Sequence, residues 1–175
     1  MTQNITVDGA IEMLGDWFDP STQDDDLVAE VRRQDDGVDA LLLGRRTFED
    51  LRGYWPDQVG TDTTGIADYL DQVHKYVVST TLTDPGWSPT TVLTGEPADA
   101  VRDLKASDGG DIVLTGSIRL THAVLAAGLV DELRLFVYPV VQGAGRRLYP
   151  DGVEQRLRLL ETRAFSGGVA LLRYA

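Results

Sequence analysis

Apolar and polar positions along the chain switch repeatedly between a period of two and a period near three and a half, and each switch marks an element boundary. Asn4 to Ile11 reads as a short strand entering a glycine-containing turn. Asp24-Asp25-Asp26 then opens a helix whose apolar stripe is Leu27, Val28 and Val31, its carboxylates suiting the positive helix end. Residues 39–43 predict a buried strand, and a helix near 46–52 follows with Phe48 and Leu51 on its apolar side. After a polar loop at 57–65 come a short helix around Ile66–Val73, strands at Lys75–Ser79 and Thr91–Leu93, and a helix with Pro97 near its start. A strand at Asp111–Leu114 leads through Gly116-Ser117 into a helix carrying Leu120, Val124 and Leu125. This alternation is an α/β pattern.

The ending differs. Glu132–Val140 is a long strand, and two further extended stretches, Arg156–Arg163 and Val169–Arg173, are separated by Ser166-Gly167-Gly168 with no room for a crossover helix. The expectation is one α/β domain over residues 1–175, a mostly parallel mixed sheet flanked by helices with an antiparallel C-terminal hairpin.

Composition narrows the chemistry. Sixteen basic against 28 acidic residues give a formal charge of −12, which disfavours nucleic acid and anionic membranes while leaving room for a local basic pocket. There is no cysteine, and the two histidines, His74 and His122, cannot make a three-histidine centre, so no metal site is expected. No apolar run approaches the length of a membrane span, and a cytoplasmic protein is the expectation.

Three strand-to-helix or strand-to-loop joins carry the candidate chemistry. Gly44-Arg45-Arg46-Thr47 offers a close backbone approach, two cations and a hydroxyl at a helix start, and Thr47 with Asp50 also matches a capping box. Val78-Ser79-Thr80-Thr81 ends a strand in hydroxyls, and Leu114-Thr115-Gly116-Ser117 precedes Arg119 in a helix's first turn. Each has a local reading as a turn or cap. Three on one sheet suit an extended nucleotide. Neither GxxxxGK[ST] nor GxGxxG is present, so a P-loop or conventional Rossmann enzyme is disfavoured.

Val7-Asp8-Gly9, Leu42 to Glu49, Val77 to Thr80, Leu114 to Ser117 and Gly128 to Gly145 in this order resemble the dihydrofolate reductase-like family, which includes the C-terminal reductase domain of riboflavin biosynthesis. The resemblance covers nearly the whole chain. It implies NADPH as cofactor, with Gly44, Arg45, Arg46 and Thr47 at the phosphate and ribose segment, Ser79 and Thr80 around the adenosine, and Gly116 and Ser117 at the pyrophosphate turn. It places Asn4 and Ile11 beside the nicotinamide and Tyr138 at a substrate edge; apart from the resemblance, Trp55 with Tyr54 is a candidate wall of the cleft, with aromatic core packing as the alternative. Asp26 is the nearest match to the carboxylate of the first helix in dihydrofolate reductases, a candidate to orient substrate or assist protonation, although its spacing to Gly44 departs from theirs by a short insertion and the plainer reading of Asp24-Asp25-Asp26 is an acidic helix start. The implied activity is hydride transfer to a small conjugated heterocycle such as a pteridine or flavin precursor, in a homodimer. The alternative is a noncatalytic nucleotide-binding or oligomeric structural protein of the same fold.

Overall fold

The computed structural model describes residues 1–20 and 23–175. Four parallel strands form one half of the sheet in the order β4-β3-β2-β5: β2 (Val38–Gly44), β3 (His74–Val78), β4 (Thr90–Leu93) and β5 (Asp111–Leu114). The other half runs β1-β6-β8-β7, with β1 (Thr2–Thr6) parallel to β6 (Leu133–Tyr138) and β8 (Ala170–Tyr174) antiparallel to both β6 and β7 (Leu159–Ala164). A parallel bridge between Thr2 and Thr115 sets β1 beside the end of β5 and joins the halves. Among the described residues the α-helices are α1 (Asp25–Asp35), α2 (Arg45–Arg52), α3 (Ile66–Gln72), α4 (Pro97–Lys105) and α5 (Ile118–Ala126). The mostly parallel sheet, its flanking helices and the C-terminal hairpin agree with the pattern in the sequence.

β2 shows why its apolar run is unbroken. Leu41 and Leu43 pack with Phe48 of α2 and Leu70 of α3 on one face, while Leu42 packs with Val101 of α4 and Leu120 and Val124 of α5 on the other. A parallel strand covered by helices on both faces needs apolar residues at every position rather than at alternate ones.

The first strand is shorter than expected. It ends at Thr6, because Asp8 turns the chain: its carboxylate accepts from the Thr6 hydroxyl and from the amides of Gln142 and Gly143. Ala10 and Ile11 therefore lie beyond β1, Ala10 in an isolated bridge with Arg147. β6 stops at Tyr138, before Pro139, whose ring nitrogen has no hydrogen to give a ladder.

Two tethers fix the helices that matter most below. Arg32 of α1 donates to the carbonyls of Thr63 and Thr64, 2.7 and 2.6 Å away, tying α1 to the loop that enters α3. Lys75, fully buried on β3, donates to the carbonyls of Leu70 and Val73 at the far end of α3 and lies 4.4 Å from the centre of the Trp87 ring. Burial pushes the Lys75 ammonium down to about 8. No helix among the described residues is long and apolar enough to cross a membrane.

Candidate active site

The β2–α2 and β5–α5 joins are bonded to each other. The amide of Gly44 donates to the Ser117 hydroxyl at 2.8 Å, and the amide of Ser117 donates to the Thr47 hydroxyl at 3.0 Å. Gly116 and Ser117 both take left-handed backbone angles, with φ of +56° and +51°. A Cβ on Gly116 would lie 3.2 Å from Cγ2 of Thr47, so the positive φ and the close approach both select glycine. Behind the turn, buried Gln3 and Thr121 donate to the Gly116 carbonyl at 3.0 and 2.9 Å. The turn is held on both sides.

This arrangement replaces the capping box expected at Thr47. The residue before α2 is Gly44, and the Thr47 hydroxyl is used by the neighbouring turn. Neither α2 nor α5 has a side-chain cap, so their first-turn amides are left without an intrahelical acceptor beside the same cleft.

The cleft, of about 1370 Å³, runs along the ends of the strands and down between α1 and the sheet. Gly44, Arg45, Arg46, Thr47, Ser79, Thr80, Gly116 and Ser117 all border it, as do Asn4, Ile11, Trp55 and Tyr138. Arg45 is paired with Glu49 one turn on, 3.1 Å from both carboxylate oxygens. Glu12 has its carboxyl held at about 2, chiefly by its hydrogen bonds from the side chain and amide of Arg146, with the charges of Arg146 and then Arg46 adding to them. The Ser79 hydroxyl accepts from the amides of Thr81 and Leu82 at 3.1 and 3.0 Å, closing the turn after β3 as a local cap.

At the other end, Tyr138 is packed by the rings of Trp17 and Phe18, 5.3 and 5.8 Å away, and donates its hydroxyl to Gln23 at 3.0 Å. Burial pushes its phenol well above the ordinary range. Trp55, in a single 3-10 turn (Trp55–Gln58), packs on the core and against the exposed Tyr54 ring. The histidines stand apart from these groups: His74 contacts the Thr91 hydroxyl and His122 the Arg147 carbonyl.

Over this geometry, residues 1–171 match the family model of the RibD C-terminal domain. The chain belongs to that family. It is 34% identical over 176 residues to the uncharacterized protein YyaP of Bacillus subtilis (strain 168), covering 97% of this chain and 90% of that protein. Among solved structures the fold matches a putative riboflavin biosynthesis protein from Shewanella sp. PV-4 with a TM-score of 0.68 at 20% identity, over 99% of this chain and 95% of the other. A pyrimidine reductase-like protein from Corynebacterium diphtheriae matches with a TM-score of 0.65 at 17% identity, over 99% and 89%. These likenesses place the chain in the RibD C-terminal, dihydrofolate reductase-like fold.

Within that fold one sequence expectation fails. Asp26 does not border the cleft: its carboxylate accepts from the amide and hydroxyl of Ser166, at 3.0 and 2.9 Å, in the β7–β8 turn. Those bonds hold its pKa below the usual carboxylate range, the opposite of what an acid near neutral pH needs. The reason is rotation. Leu27, Val28 and Val31 turn one side of α1 into the cleft, and Asp26 falls outside it. The residues that the sequence reading missed are Asp35 at the end of α1, Tyr69 of α3 and Arg134 of β6, all of which border the cleft. Asp35 had a readable signal, standing four residues beyond Val31 and so on the same stripe.

Proposed function

We propose that this protein is a reductase that binds NADPH in the upper part of the cleft and reduces a small conjugated nitrogen heterocycle held below it. The observation that carries the reading is the mutual hydrogen bonding of the Gly44–Thr47 and Gly116–Ser117 turns, which fixes two uncapped helix starts beside one groove. A pyrophosphate suits that environment, since helix-start amides and the helix dipole both favour an anion.

The residues present fit the cofactor. A glycine that a Cβ would bring against Thr47 lets a ligand approach the backbone closely, and Arg45, Arg46, Arg119 and Arg146 add local positive charge to a chain of net −12. We assign Arg45, the first residue of α2, to the 2′-phosphate, where it would exchange its exposed bond to Glu49 for a charge-assisted one. Ser79 and Thr80 would border the adenosine, and Asn4, Ile11 and Tyr138 the reactive end. When bound, NADPH supplies the hydride. The chain's own part is to orient the two partners and keep water out, which the rings of Trp17, Phe18 and Tyr138 and the apolar face of α1 support.

A homodimer belongs to the same proposal. β7 ends its sheet, and Leu159 and Leu160 on it are exposed. Sedimentation of a single monomeric species would reject that part.

Calorimetry with NADPH and NADH tests the cofactor. NADPH should bind more tightly, and Arg45→Gln should reduce the preference by about tenfold. Equal affinities would overturn the phosphate assignment, and no binding of either at millimolar concentration would overturn the reductase reading in favour of a noncatalytic protein of this fold.

A further inference from the structure

The ends of β5, β2, β3 and β4 lie side by side along one rim of the cleft, and the charge along that row changes sign. The chain leaves β5 toward Arg119, leaves β2 into Arg45 and Arg46, leaves β3 into Ser79 and Thr80, and leaves β4 toward Glu96, all of which border the cleft. The first two joins carry cations, the third carries neutral hydroxyls, and the fourth carries a carboxylate.

The fourth join is built unlike the first two. α2 opens on two arginines and α5 has Arg119 in its first turn, whereas α4 opens on Pro97, which has no amide hydrogen, and carries Asp99 in its first turn. Glu96 precedes that proline. Its carboxylate takes part in no hydrogen bond or ion pair among the described residues, although the same helix pairs Arg102 with Asp99. Gly95 beside it holds a φ of +106°, and a Cβ there would meet no atom within 4 Å, so the backbone next to Glu96 faces open space. Such a join repels an anion and offers only acceptors. A ligand that lies along the whole row is therefore anionic over β5 and β2 and presents N–H donors at β4.

β4 is two strands from β2, about 10 Å at ordinary strand spacing. With a pyrophosphate at the Gly44 and Gly116 turns, a ribose over Ser79 and Thr80 brings the far edge of its purine to Glu96. We propose that Glu96 is a specificity residue for the base of the nucleotide: it accepts from the exocyclic amine of adenine and discriminates against a purine with a carbonyl in that place. Hypoxanthine sets its carbonyl oxygen against the carboxylate, two acceptors with no proton between them, and a site built for an N–H donor rejects the analogue that lacks it. Glu96 is solvent-exposed, so water competes for both groups and the discrimination is modest.

This role for Glu96 rests on NADPH as the cofactor, and the test separates the two. Calorimetry on the full chain compares NADPH with its hypoxanthine counterpart, in which a carbonyl replaces the 6-amino group. The parent chain should bind NADPH about tenfold more tightly, and Glu96→Gln, whose amide donates as well as accepts, should bring the two within about twofold. Glu96→Ala should lose the preference too, by weakening NADPH rather than by strengthening the analogue. Glu154→Gln, at an exposed carboxylate that does not border the cleft, should keep the preference and so exclude a general effect of lost charge. Both Glu96 variants should melt as the parent does, because the carboxylate has no bond in the fold to lose. Equal affinities of the parent for the two nucleotides, or an undiminished preference in Glu96→Gln, would overturn the role of Glu96 and leave NADPH as cofactor. Tighter NADPH binding by Glu96→Ala would also overturn it, by putting the carboxylate beside a phosphate. Binding of neither nucleotide at millimolar concentration would overturn the cofactor, and the base contact with it.

Discussion

The two ends of the cleft treat polar groups in opposite ways. At the β2–α2 and β5–α5 turns, hydroxyls and amides are paired with each other, and Gln3 and Thr121 secure the carbonyl behind them. At the end of α1, the Asp35 carboxylate and the Tyr69 phenol are left unpaired beside apolar walls. The upper end is a rigid mould whose unspent donors are backbone amides fixed in direction. The lower end leaves side-chain bonding capacity unspent, at a cost in stability. Mutation should therefore lower stability at the first and raise it at the second.

The largest effect is expected at Gly116. Gly116→Val puts a branched side chain against Thr47 at a left-handed position, and NADPH affinity should fall by about 100-fold or more with a clear loss of thermal stability. Calorimetry and a melting curve on the same preparation check it. Next is Ser117→Ala, which removes the acceptor for the Gly44 amide; unfolding in urea should show a loss of about 1–2 kcal/mol, with NADPH binding weakened alongside.

Asp35→Asn should do the reverse, gaining stability by about 1 kcal/mol. The sign depends on pH. A carboxyl raised to about 7 in the folded state stays protonated there when the unfolded chain has already ionised, so its contribution is fully present below the ordinary carboxylate range and is lost as pH rises toward 7. The gain from Asp35→Asn should be larger near pH 8 than near pH 5, and melting curves across that range, roughly spanning the titration, decide it. A gain independent of pH would show that Asp35 is not the unpaired charge described. The smallest effect belongs to Asp26→Asn, which should leave every binding measurement unchanged and lower the melting temperature slightly through its bonds to Ser166.

The same contrast explains what the sequence revealed. Gly44-Arg45-Arg46-Thr47 and Gly116-Ser117 lie at strand ends, where apolar runs give way to glycine and hydroxyl residues, so both turns and their place on the sheet were readable one letter at a time. Their mutual bonds were not, because residues about seventy apart meet only when β2 and β5 pair. The capping box at Thr47 was a sound local reading displaced by that tertiary bond. Asp26 drew attention through its acidic neighbours, but helix rotation decides which carboxylate faces inward, and it turned Asp26 to the hairpin. The setting of Asp35 and Tyr69 depends on how α3 approaches α1, which Arg32 and Lys75 fix through backbone carbonyls that no residue pattern displays.

The fastening of α1 to the C-terminal hairpin has a consequence for the order in which the chain assembles. Asp26 reaches Ser166 across 140 residues, and Gly167 sits where any Cβ would fall 1.9 Å from an Asp24 carboxylate oxygen. During synthesis, where folding begins before the chain is finished, β2, β3, β4 and β5 can pair while the start of α1 still lacks its dock. Until β8 emerges, the valine face of α1 is an unsheltered surface, and the pocket's wall is the last part of the protein to become safe from mispairing.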